Sequence, residues 1–101
     1  MFLSLLCHGQ SYKFFTTDRE LSSSLINKIY QDRNGMIWIA TEDGLNRYDG
    51  AKFVIYKHDP ENEHSLCHNY VRALYEDSKG RLFVGTYNGI QLYDPATHSF
   101  S

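Results

Sequence analysis

The apolar positions of this chain fall into short runs. "INKIYQD", Ile26 to Asp32, alternates apolar and polar residues after its first positions. "MIWIAT", Met36 to Thr41, is nearly unbroken in its apolar and β-branched character. "LNRYD" and "KFVIYK" follow, each short and each bounded by polar or glycine-containing turns. A two-residue period predicts half-buried strands, and a short unbroken run predicts a strand covered on both faces. The set reads as four strands, not as helices.

The set is then written again. "YQDRNGMIWIATEDGLNRYDG", Tyr30 to Gly50, returns as "YEDSKGRLFVGTYNGIQLYDP", Tyr75 to Pro95, at an offset of 45 residues. Tyr30 meets Tyr75, Asp32 meets Asp77, Gly35 meets Gly80, Thr41 meets Thr86, Gly44 meets Gly89, and Tyr48-Asp49 meets Tyr93-Asp94. Apolar positions also coincide: Ile29 with Leu74, Ile37 with Leu82, Trp38 with Phe83, Ile39 with Val84, and Leu45 with Ile90. After the Tyr-Asp pair the second copy has two extra residues before Phe100, the partner of Phe53, which marks a loop.

Turn chemistry divides the strands. "DRNG" and "DSKG" offer an Asp to accept turn hydrogen bonds and a Gly for a left-handed position. Asp43-Gly44 and Asn88-Gly89 predict type I′ hairpins, whose two central residues both need positive φ. Four short strands at a period near 45 residues are the signature of a β-propeller blade. The expected fold is all-β, about two four-stranded antiparallel blades of an incomplete propeller. Residues 21–63 form the first blade and 64–101 the second, incomplete one. "YKFFTT" within residues 10–20 fits a strand that would close a full ring. "HDPENEHSL", His58 to Leu66, joins the blades. Trp38 and Phe83 are expected to pack between blades alike. Because rings typically need about 4–8 blades, the chain reads as the N-terminal piece of a longer protein or a truncated frame.

Composition narrows the picture. The net charge of −2 gives no basic surface for nucleic acid or an anionic membrane. Eight Tyr and six Phe against two Pro exclude a disordered chain and favour strands. Cys7 and Cys67 carry no disulfide framework. The apolar stretch Phe2 to Cys7 precedes a small-x-small arrangement, Cys7-His8-Gly9. Residues 1–9 read as a clipped signal peptide cleaved after Gly9, with a plain apolar strand as the other reading. Leu6 is bulky where a lipidation site at Cys7 wants a small residue. No stretch is long enough to span a bilayer.

The two quoted copies resemble the two-component regulator propeller family, whose pattern is an Asp-x-x-Gly turn, a Leu/Ile-Trp-Ile-Gly-Thr strand, an Asn/Asp-Gly-Leu turn and a closing Tyr-Asp. Ala40 stands where Gly is usual and Phe83 where Trp is usual. The resemblance covers about Leu21 to Phe100. It implies the periplasmic N-terminal sensor of a hybrid two-component histidine kinase of the Bacteroidetes type. It further implies a small-molecule or oligosaccharide ligand, more blades of the same longer chain, and a homodimer in full length. The kinase machinery would lie beyond Ser101, so this segment would hold no catalytic residue, cofactor or metal, and its ligand contacts are not identified.

Candidate chemistry gives way to plainer readings. His64-x-x-x-His68 with Cys67 sits in a polar connector and reads as a solvated loop rather than a metal site. In a calcium-loop reading of "DRNG" and "DSKG", Asp43 and Asn88 would fall at the twelfth place, where Glu is needed, so these remain turns. Glu42-Asp43 and Glu76-Asp77 are strand neighbours pointing to opposite faces, unlike a facing acid and base. Ser22-Ser23-Ser24 lacks nucleophile-elbow glycines. The Tyr-Asp pairs could stack on sugars, but their recurrence points to a per-blade structural role. Alternatives of other classes are part of a propeller-fold polysaccharide lyase or hydrolase, and a non-catalytic interaction scaffold.

Overall fold

In a computed structural model, residues 21–101 are described. They form two four-stranded meanders. The first holds β1 (Ile26–Gln31), β2 (Ile37–Thr41), β3 (Gly44–Tyr48) and β4 (Phe53–Tyr56). The second holds β5 (Val71–Glu76), β6 (Leu82–Thr86), β7 (Gly89–Asp94) and β8 (Ser99–Phe100). Every neighbouring pair is antiparallel. The expected all-β architecture is what forms. A register shift between Ile26 and Lys28 recurs between Val71 and Ala73, so even the irregularity is duplicated. The proposed signal peptide and ring-closing strand lie outside the described residues.

The sheets stack face to face. Trp38, Ala40, Leu45 and Tyr56 of the first sheet pack against Leu66, Val71, Leu82, Val84, Tyr93 and Phe100. Trp38 meets the ring of Tyr93 edge-on at 4.9 Å, within the range favoured by aromatic quadrupoles. The other face of the first sheet buries Leu21, Ile39 and Tyr48. β2 is therefore covered on both sides, as its unbroken apolar run implies. β6 differs: Leu82, Val84 and Thr86 are buried while Phe83 and Gly85 are partly open. The expectation that Phe83 packs like Trp38 fails among the described residues, because the face it occupies is not covered by another sheet.

The Asp of each first turn does more than hold its loop. Asp32 Oδ1 accepts from the backbone of Asn34 (2.9 Å) and Met36 (3.0 Å), while Oδ2 accepts from Trp38 Nε1 at 2.9 Å. Asp77 Oδ1 likewise accepts from the backbone of Lys79 and Arg81, both at 2.9 Å. Phe83 has no N–H to offer, and Arg81 Nε supplies the missing donor to Asp77 Oδ2 at 2.6 Å. Hydrogen bonds from the Arg81 backbone first hold the Asp77 carboxyl below its ordinary range.

The second turns correct the type I′ expectation. Thr41 pairs with Gly44, so the central residues are Glu42 and Asp43, and the glycine follows the turn. Among the described non-glycine residues only His98 has positive φ, whereas Gly44 stands at 122° and Gly89 at 120°. The turn is closed by threonine instead. Thr41 Oγ1 accepts from Asp43 N (3.0 Å) and donates to Gly44 O (2.8 Å). Thr86 repeats both bonds with Asn88 N (3.1 Å) and Gly89 O (3.2 Å). This accounts for the identity of Thr41 and Thr86 between copies.

Polar links fasten the sheets at their inner and outer edges. Tyr30 Oη donates to Glu76 Oε1 at 2.8 Å, Arg33 Nη2 to Ser78 O at 2.8 Å, and Asn27 Nδ2 to Val71 O at 2.8 Å. At the outer edge the hydroxyls of Tyr56 and Tyr93 lie 2.9 Å apart, with His98 Nδ1 3.1 and 3.0 Å from them. Glu76 raises the pKa of Tyr30, and burial followed by the Tyr56 hydroxyl pushes Tyr93 well above the usual phenol range. A hydroxyl whose pKa is raised by folding contributes stability fully present below its ordinary value near ~10 and lost as pH climbs past it. Thermal melts should accordingly fall above about pH 10, and more shallowly in Tyr93→Phe than in the parent. Parallel curves would show that the phenol at Tyr93 is not linked to folding.

Candidate functional site

The antiparallel order puts the β2–β3 turn, the β6–β7 turn and the end of the connector at one end of the stacked sheets. Backbone bonds tie them: Gly44 N donates to Asn69 O at 2.6 Å, and Tyr87 N to Tyr70 O at 3.3 Å. Here the copies part company. Ser23, Leu25, Asn27 and Glu42 correspond, 45 residues on, to His68, Tyr70, Arg72 and Tyr87. Elsewhere in this region equivalents keep one role. Ser22 Oγ meets Thr41 Oγ1 at 3.1 Å just as Cys67 Sγ meets Thr86 Oγ1 at 3.1 Å.

The four divergent residues of the second copy converge. The rings of Tyr70 and Tyr87 stack at 4.1 Å with an interplanar angle of 7°. The His68 ring lies 5.8 Å from that of Tyr87, and the Arg72 guanidinium sits 5.2 Å from the Tyr87 centroid. Tyr70 Oη donates to Glu42 Oε2 at 3.2 Å across the junction between sheets. Contact with Tyr87, then burial and Glu42, raise the Tyr70 pKa. Tyr87 remains 56% exposed. Aromatic edges, a carboxylate and a guanidinium gather on one exposed end. They supply no nucleophile and no opposed acid and base.

The His, Cys and acidic candidates of the sequence have local partners. His64 Nε2 lies 3.6 Å from Glu63, Tyr70 N donates to His68 Nδ1 at 2.9 Å, and Cys67 faces Thr86. Among the described residues no three His, Cys, Asp or Glu side chains gather in a metal-binding group. Asp43 pairs with Lys57 at 3.0 Å, whereas Glu76 receives Tyr30 and Asp77 closes its turn. Of the serine run, Ser22 meets Thr41 and Ser23 Oγ accepts from Leu25 N at 3.0 Å. Tyr48 Oη donates to Gly50 O at 2.7 Å, and Asp49 Oδ1 accepts from Ala51 and Lys52, both at 2.8 Å. Tyr93 joins Tyr56, and Asp94 Oδ1 accepts from Ala96 N at 2.9 Å. The Tyr-Asp pairs are corner braces. Cys7 lies outside the described residues.

Residues 20–43 and 65–88 match the family described as two component regulator propeller. These two segments are two-component regulator propeller repeats. The two sheets are two propeller blades. Over 55 residues the chain is 44% identical to Histidine kinase P4 of Formosa agariphila, a stretch covering 54% of this chain and 4% of that protein. It also superimposes on the extracellular domain of a protein of B. thetaiotaomicron described as a hybrid two component system. There the TM-score is 0.76 at 33% identity, over 92% of this chain and 14% of that one. A second extracellular domain from B. thetaiotaomicron, described as belonging to a one component system, matches with a TM-score of 0.71 at 23% identity. That match covers 86% of this chain and 13% of its own, and it speaks to the fold alone. The chain thus spans a small part of the relatives it matches.

The repeat pattern now has a physical reading. The turn Asp binds backbone and one side-chain donor, the Thr clamps the second turn, and the Tyr-Asp pair braces the third. The first of these tolerates a moved donor, which is how Phe83 is accommodated where the first copy carries Trp38. Sequence comparison of the copies highlighted what they share. The signal for the surface cluster lay in what they do not share, at Ser23/His68, Leu25/Tyr70, Asn27/Arg72 and Glu42/Tyr87.

Proposed function

We propose that this chain is a segment of the periplasmic, ligand-sensing propeller of a hybrid two-component sensor histidine kinase. The reading rests above all on its likeness, over 92% of its length, to an extracellular domain described as part of a hybrid two component system. The ligand is an oligosaccharide or a related polyhydroxylated small molecule, and the cluster of Glu42, His68, Tyr70, Arg72 and Tyr87 forms part of its contact surface. A carboxylate and a guanidinium hydrogen-bond to hydroxyl groups, and tyrosine edges and faces take the apolar C–H side of a sugar ring. In the complete receptor, a homodimer, ligand that binds one arrangement of the propellers better shifts the population toward it and biases the kinase.

The extracytoplasmic region of the complete protein, titrated calorimetrically with a panel of neutral and acidic oligosaccharides, should bind at least one of them. Tyr87→Ala should weaken that binding by about 10-fold or more, the loss of roughly 1.4 kcal/mol, while the melting temperature stays close to the parent. A phosphatase fused after Ser101 of the intact protein should be active only if exported. Binding unchanged in Tyr87→Ala, or a fusion active only in the cytoplasm, would overturn the reading.

A further inference from the structure

The cluster at the turn end is lopsided in its hydrogen-bonding capacity. Tyr70 N donates to His68 Nδ1 at 2.9 Å. That nitrogen must keep its lone pair, so the neutral ring carries its proton on Nε2. No acceptor among the described residues takes that proton. The Arg72 guanidinium, a group with donors only, rests against the Tyr87 ring at 5.2 Å and joins no ion pair among the described residues. The His68 ring flanks the same tyrosine, 5.8 Å from it. The carboxylate of the cluster, Glu42, belongs to the other blade, and its Oε2 is already engaged by the Tyr70 hydroxyl at 3.2 Å. At the equivalents of His68 and Arg72 the first copy has neutral Ser23 and Asn27. The second copy therefore sets an unneutralised cation and a spare imidazole N–H around one exposed aromatic ring.

We infer that the cluster selects an acidic sugar, whose carboxylate or sulfate group is held by the Arg72 guanidinium and His68 Nε2–H while its ring lies against Tyr87. The inference rests on the reading that this cluster contacts a saccharide, and it narrows that reading to anionic ones and orients them. A guanidinium meets a carboxylate or sulfate through paired, charge-assisted N–H···O bonds that a neutral hydroxyl cannot reproduce. An acid group on the Arg72 side also keeps away from Glu42, whose carboxylate is held at the Tyr70 hydroxyl. Reversing the ligand would set two anions together and leave the guanidinium facing hydroxyls, a poorer match on both sides.

The test titrates the extracytoplasmic region of the complete protein with matched twins. Oligomers of galacturonate, mannuronate and hyaluronan are set beside their carboxyl-reduced forms, and sulfated galactan oligomers beside their desulfated forms. The tightest ligand should be acidic, and its neutral twin should bind at least about 10-fold more weakly, as the loss of a charge-assisted pair requires. Whether carboxyl reduction or desulfation causes the loss tells the two acid groups apart. Added salt should weaken the acidic ligand and leave its neutral twin unchanged. Arg72→Met keeps the reach of the side chain and removes its charge. It should shrink the preference to about 3-fold or less, with the melting temperature close to the parent, as for an exposed residue without an ion pair. Twins bound equally by the parent, with Tyr87→Ala still weakening both, would overturn the acid preference and leave the saccharide reading standing. A preference that survives Arg72→Met would overturn the seat assigned to the acid group. Binding of no sugar in either form would overturn both readings.

Discussion

Trp38→Ala should lower the unfolding free energy by about 3–5 kcal/mol, the range for truncating a buried aromatic. Two losses combine: the indole leaves a void against Tyr93, and Asp32 Oδ2 loses its 2.9 Å donor. Phe83→Ala, at the equivalent position, should cost far less, because Phe83 is only partly buried. Trp38→Phe separates the two losses. It keeps most of the packing and removes the donor, for about 1–3 kcal/mol. The second blade shows the remedy, since Arg81 takes over the task beside Phe83. Met36→Arg alone would set two guanidiniums together, because Arg47 Nη1 already lies 3.7 Å from Met36 Sδ. The equivalent of Arg47 is Leu92, and Arg47 Nε is buried without a hydrogen-bond partner among the described residues. Trp38→Phe, Met36→Arg and Arg47→Leu together should therefore recover most of the stability lost in Trp38→Phe. Urea denaturation of the set decides it. A triple variant no better than Trp38→Phe would mean the donor to Asp32 contributes little.

Gly44→Ala should cost about 3 kcal/mol or more, and Gly89→Ala only about 1–2 kcal/mol, of which backbone strain is the shared part. Both glycines stand near φ 120°, where L side chains rarely sit. Only Gly44 is also crowded: a Cβ there would come 3.0 Å from the carbonyl oxygen of Tyr56, which cannot swing aside without disturbing β4. At Gly89 nothing among the described residues lies within 4 Å of the added carbon. The difference between the two variants, read from denaturant midpoints at constant slope, isolates the clash from the strain. Equal losses would show that β4 yields freely.

Much of this fold is legible in the sequence because duplication doubles each signal. The strands around Trp38 and Phe83 and the turns at Asp32 and Asp77 each occur twice with the same neighbours. What escapes the reading depends on surroundings rather than on local pattern. The type I′ expectation looked to Asp-Gly alone and missed the Thr41 hydroxyl, which moves the turn one residue earlier. The pairing of Trp38 with Phe83 assumed equal burial, but burial belongs to a stack of sheets and not to a residue. Glu76 reads as a solvated acid until Tyr30, 46 positions away, is found at 2.8 Å. The surface cluster was hidden for the opposite reason: alignment of copies rewards sameness, and Tyr70, Arg72 and Tyr87 differ from their counterparts.

The two ways of satisfying the turn carboxylate bear on how such a gene can rearrange. Tandem copies invite unequal crossing-over, and a breakpoint between the codons of positions 36 and 38 would mix the solutions. One hybrid would pair Met with Phe and leave the acceptor bare. Its reciprocal would pair Arg with Trp, two donors competing for one oxygen. Exchanges that fall in the loops between blades keep each set whole, so inheritance should favour shuffling by entire units.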